Sequence, residues 1–100
     1  MRNWLEEFQK HLPCNFEYEK ISIELEVLAE EFIDYLDKNE GQGQLLNSVS
    51  DLVFSSFTEC KYLHDRHPSN EILTHNMEVL IIASMVVKLG SMSKPLDPAG

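Results

Sequence analysis

Cys60, His64, His67 and His75 are the residues of this chain whose chemistry could hold a metal ion. Steps of four and three align the first three on one side of a helix, and thiolate and imidazole are zinc ligands. Structural zinc sites pair their ligands at a tight turn, however, and no CxxC is present. His67 precedes Pro68, where helical backbone is disfavoured. The plainer expectation is a core thiol at Cys60 with histidines near a helix C-terminus, where positive charge is favoured. A nucleophilic Cys60–His64 pair lacks an orienting acid or an oxyanion donor. The adjacent carboxylates Glu6–Glu7 and Glu30–Glu31 point in different directions on a helix, so neither pair can share a reacting atom. Gly41-Gln42-Gly43 has no following Lys-Ser/Thr and reads as a turn rather than a phosphate loop. No enzymatic activity and no cofactor are expected.

The strongest pattern is electrostatic. Residues 16–40 hold nine of the 17 acidic residues and two of the eight basic ones, a net −7 out of the chain's −9. Glu26, Glu30, Asp34 and Asp37 recur at steps of four, four and three, which gathers them within an arc of about 80° on a helix at about 100° per residue. Along the axis they are spaced by about 5–6 Å, close to the spacing of phosphates on a nucleic-acid strand. No Lys or Arg stands within residues 21–37 to offer i,i+4 relief. Ile23 and Val27 fall near the stripe, on what should be the wet face, and apolar residues set among charges resemble an interface. The predicted partner-binding set is therefore Ile23, Glu26, Val27, Glu30, Asp34 and Asp37. A solubilising outer helix face would give much the same acids.

The chain has 100 residues, 43% of them apolar and 25% charged, which fits one soluble domain of residues 1–90 with a flexible tail at 91–100. A pI near 4.7 repels nucleic acid and anionic membrane surfaces and favours basic partners. Two cysteines, Cys14 and Cys60, are too few for a disulfide framework and read as reduced thiols. The N-terminal Met-Arg-Asn-Trp-Leu-Glu-Glu lacks the apolar core of a secretory signal. The longest apolar run, Val79 to Val87 broken by Ser84, falls short of the about 20 residues a spanning helix needs. Cytoplasmic placement is expected.

Four helices must position these residues, giving an all-α bundle with one short and three long members. The first spans about Asn3 to His11, capped by Asn3 and stopped by Pro13. Phe16 to Val27 alternates with period two and could form a strand, but Ile21, Leu25, Leu28, Phe32 and Leu36 extend a helical template further, so a helix over Ser22–Lys38 is preferred. Leu45, Val49, Leu52, Val53, Phe57, Cys60 and Leu63 mark the inner face of a third helix, Gln44–Asp65. The fourth, Glu71–Leu89, is apolar on two sides and is the central element, with Gly90 as its stop. One of its faces, with Val79, Ile82 and Val86, is a candidate dimer contact. Phe54 and Tyr62 fall off the core face of the third helix, and with Trp4 they are candidate interface aromatics.

Three functional readings follow. The first is a small acidic inhibitor that masks a basic site on a protein partner, such as a nucleic-acid-processing toxin. In size, charge and helix content, with no motif, the chain is similar to the immunity and antitoxin proteins with which bacteria neutralise cationic nucleases. The second is a homodimeric adaptor or structural protein built on the fourth helix. The third is a metal-binding regulator using Cys60, His64, His67 and His75.

Overall fold

The computed structural model describes residues 2–93. It is an all-α bundle of four helices, α1 (Trp4–Lys10), α2 (Glu24–Lys38), α3 (Gly43–Arg66) and α4 (Glu71–Ser93), with no strand among the described residues.

Local chemistry sets the boundaries. Asn3 Oδ1 accepts the Glu6 N–H at 3.0 Å and caps α1, with Glu6 and Glu7 at its positive end. Ser22 Oγ accepts the Glu24 N–H at 3.1 Å just ahead of α2, which starts two residues later than the expected Ser22. Gly41, at φ 75°, makes the reversal between α2 and α3 in a conformation that costs other residues a Cβ clash. Asn70 Oδ1 accepts the Leu73 N–H at 3.0 Å and starts α4 just beyond Pro68.

The period-two stretch is not a strand. Asn15 accepts the Glu17 N–H with its side chain and those of Tyr18 and Glu19 with its carbonyl, coiling residues 15–19 into turns. Phe16 and Ile21 are buried from this segment at 5% and 1% exposure. Alternation here records two plugs in a loop, because no strand among the described residues neighbours it to continue a ladder.

α4 packs against both α2 and α3, and α1 closes the opposite side by touching the same two helices. Ile21 meets Asn76, and Ile33 lies against Gly90, so α2 and α4 run parallel. The Cys60 Sγ reaches the Leu73 carbonyl, so α3 and α4 form an antiparallel hairpin. Phe8, Phe32, Leu25, Val49, Val53, Leu73, Leu80 and Val87 are fully buried between them. Trp4 stacks tilted against Phe32 and Tyr35 at 5.4 and 5.2 Å, and Phe8 meets Phe32 edge-on at 5.6 Å. Arg2 lies 4.0 Å over the Trp4 ring and pairs with Glu7 and Glu31, tying α1 to α2. That hydrogen-bonded pairing with Arg2 holds the Glu7 carboxyl below the usual carboxylate range.

α4 runs longer than expected. Gly90 does not stop it; the helix continues to Ser93, so residues 91–93 belong to the helix, and the rest of the expected tail lies outside the described residues. Gly90 is buried at the α2–α4 crossing instead, where an added Cβ would come 2.6 Å from the Ile33 side chain. Within Glu71–Met92 an 18-residue window has a mean hydropathy of 1.5, so the helix is long and apolar enough to cross a membrane by length and composition, although 39% of that window is buried in the bundle. The nine-residue run read from the sequence therefore understates this helix.

Candidate protein-binding face

Leu25, Leu28, Ala29, Phe32 and Leu36 bury the inner face of α2. The opposite face carries Glu30, Asp34 and Asp37, all exposed, with Glu26 half-buried at its margin. Ile23 and Val27 stand among them at 61% and 52% exposure. The six predicted residues thus share one outer face, and the apolar pair is placed where it gains nothing from the core.

The stripe is not wholly without internal relief. Lys38 Nζ donates to Asp34 Oδ2 at 3.0 Å, an i,i+4 pair whose cation lies one residue beyond the cation-free stretch 21–37. Both side chains are more than half exposed, and such pairs contribute little. Glu26 and Glu30 form no ion pair among the described residues. They remain the open acceptors of the face.

Angular position shows what borders these acids. Ile33 marks the side of α2 that faces α4, and Trp4 against Phe32 and Tyr35 marks the side that faces α1. Stepping outward from Ile33 at about 100° per residue meets Glu26, Asp37 and Glu30 in turn. The acids therefore lean toward α4. The contacts of Ile21 and Ile33 set a register that brings Glu26 level with Ile82 and Glu30 level with Val86.

α4 presents an apolar ridge there, but not the one read from the sequence. Val79 is buried at 3% and Val86 is half-buried, because α2 covers them; of that trio only Ile82 is exposed, at 42%. Ile81 is likewise exposed, at 40%. The outward ridge also includes Met85, Leu89 and Met92 at 54%, 58% and 68% exposure. Their spacing from Ile82, three, four and three, is a heptad seam and was readable beforehand. What pattern alone could not decide was which side of a doubly apolar helix α2 and α3 would cover.

The Cys/His set does not assemble. Cys60 is fully buried, its thiol directed at the Leu73 carbonyl at 3.9 Å, and burial pushes its pKa up to about 11. His64 Nε2 sits 3.4 Å from Thr74 Oγ1, His75 Nε2 lies 2.8 Å from the Ile21 carbonyl, and His67 is exposed at the end of α3. With a carbonyl as its partner, the His75 nitrogen carries the proton and donates. Among the described residues no three His, Cys, Asp or Glu side chains are grouped to hold a metal ion. Cys14 is exposed, and both it and Cys60 are free thiols. Of the candidate aromatics, Trp4 is core, while Phe54 and Tyr62 are exposed at 38% and 59%, with Tyr62 accepting from Arg66 at 2.7 Å.

Comparison of the chain with protein-family models, curated proteins and solved structures returned no match.

Proposed function

We propose that this chain is an acidic protein-binding module that masks a basic site on its partner, an inhibitor of the immunity or antitoxin kind acting on a cationic, nucleic-acid-processing protein. The observation that carries the reading is the outer face of α2, where Ile23 and Val27 stand exposed between carboxylates. Charge alone would steer a basic partner and raise its association rate. A small desolvated apolar centre inside a charged rim adds what holds the complex once formed. Glu26 and Glu30, without an ion pair among the described residues, are the groups that would meet Lys or Arg side chains otherwise used for phosphate.

The test is capture by the immobilised chain, run beside a Glu30→Lys/Asp34→Lys double variant. The expected catch is basic protein that binds the native chain, is released by salt, and is not retained by the variant. Equal capture by both chains, or retention indifferent to salt, rejects the reading.

A further inference from the structure

We infer that the outward ridge of α4 and the acidic edge of α2 form one groove that receives an amphipathic helix bearing Lys or Arg along one side of its apolar stripe. The inference rests on the reading above and names the partner's shape. Three observations lead to it.

Ile82, Met85, Leu89 and Met92 are exposed at heptad spacing on a helix. That arrangement offers knobs and holes to another helix. From Ile82 to Met92 the ridge rises about 15 Å, nearly three turns, enough to seat a short helix. Glu78 interrupts the apolar line at one end.

The border is acidic on its α2 side, while the exposed Lys88, three residues after Met85 and four before Met92, flanks the ridge on the far side. Glu26 and Glu30 lie on the side of α2 next to the ridge, level with Ile82 and Val86, and have no ion pair of their own among the described residues. A ligand lying on the ridge therefore meets apolar surface beneath it and carboxylates along its flank. An anionic lipid surface is repelled by the same groups.

A second copy of this chain is a poor occupant. It brings a further net −9, and several of its cations are already engaged: Arg2 with Glu7 and Glu31, Lys38 with Asp34, Lys61 with Asp65. Face-to-face pairing in the antiparallel sense sets one acidic edge over the other. A basic helix from another protein satisfies the edge and the ridge together.

The probe is a fluorescein-labelled leucine–lysine peptide with leucines at i, i+3, i+4 and i+7, followed by anisotropy against the full chain. Two controls share its composition or pattern: a shuffled order, and glutamate in place of lysine. The variants are Met85→Gln/Leu89→Gln and Glu26→Gln/Glu30→Gln, all at surface positions, with circular dichroism verifying the fold. The expected result is binding of the patterned cationic peptide, with about tenfold weaker binding of the shuffled peptide and of the Met85→Gln/Leu89→Gln chain. Glu26→Gln/Glu30→Gln should weaken binding and flatten its salt dependence.

Equal binding of the shuffled peptide, or no effect of Met85→Gln/Leu89→Gln, overturns the groove and leaves the acidic reading standing. Equal binding of the glutamate peptide overturns the acidic reading itself. A dimer by light scattering that the Met85→Gln/Leu89→Gln change dissociates assigns the ridge to a second copy and overturns the inference. So does binding to phosphatidylcholine vesicles that the same change abolishes, which assigns the ridge to lipid.

Discussion

Asn76 ties the loop before α2 to α4. It is fully buried, and its amide serves three backbone groups of the loop before α2. Oδ1 accepts the Ile21 N–H at 2.7 Å, while Nδ2 donates to the carbonyls of Phe16 and Glu19, each at 2.8 Å. A buried loop needs such a partner because its peptide groups have neither water nor a ladder. Asn76→Ala should therefore destabilise the chain by about 3 kcal/mol or more, since each orphaned buried group costs about 1–3 kcal/mol. Urea unfolding monitored by Trp4 fluorescence measures it. Asn76→Asp should cost at least as much, because it keeps the acceptor for Ile21 and loses both donors. A change of less than about 1 kcal/mol in either variant would mean that the loop finds other partners. Cys60 is the contrasting case: with its pKa pushed to about 11 by burial, the thiol stays neutral and behaves as a small apolar filler.

At the level of the helices, Gly90 sets two general rules against each other. Alanine in a helix interior is better than glycine by about 1 kcal/mol, yet the Gly90 Cβ would meet Ile33 Cγ1, Cγ2 and Cδ1 at 2.6 Å. Two of those atoms sit at the branch of the side chain and cannot swing away. The clash wins: Gly90→Ala should lower stability by up to about 2 kcal/mol, the usual scale of overpacking less about 1 kcal/mol of propensity. Adding Ile33→Ala should make the alanine at 90 neutral or favourable, and a double-mutant cycle in urea reads the coupling directly. Additive losses would show that the crossing relaxes. Gly90 also shows how far the sequence was readable. Helix number, order and inner faces were legible, because the apolar periods of α2 and α3 persist for several turns and Asn3 and Asn70 cap where such residues should. Gly90 was misread as a stop, because a glycine that ends a helix and one that admits a neighbour look alike in sequence. Val79 and Val86 were misplaced for a related reason. Where both sides of a helix are apolar, periodicity gives its two faces but not the neighbour that covers each. The α2 stripe was legible because its acids, unlike α4's valines, can lie only on the outside.

Across the whole molecule, the net −9 is distributed against stability. Residues 16–40 hold net −7, and α2 stacks its acids on one face with only Lys38 for i,i+4 relief. Self-repulsion of this kind destabilises a compact state, and salt screens it. Thermal stability of the native chain should therefore rise with added sodium chloride at neutral pH. Glu30→Lys tests the cause. It places a cation between Glu26 and Asp34, four residues from each, and each such pair contributes about 0.2–0.5 kcal/mol while a like-charge contact is removed. The variant should be more stable than the native chain by about 0.5–1 kcal/mol, with a flatter response to salt. The same change should weaken capture of basic protein. Stability gained together with binding lost is the pattern of a surface kept under strain for a partner. If Glu30→Lys stabilises the chain and leaves capture intact, the stripe serves solubility alone, and the contacts with a basic partner must lie elsewhere on the molecule.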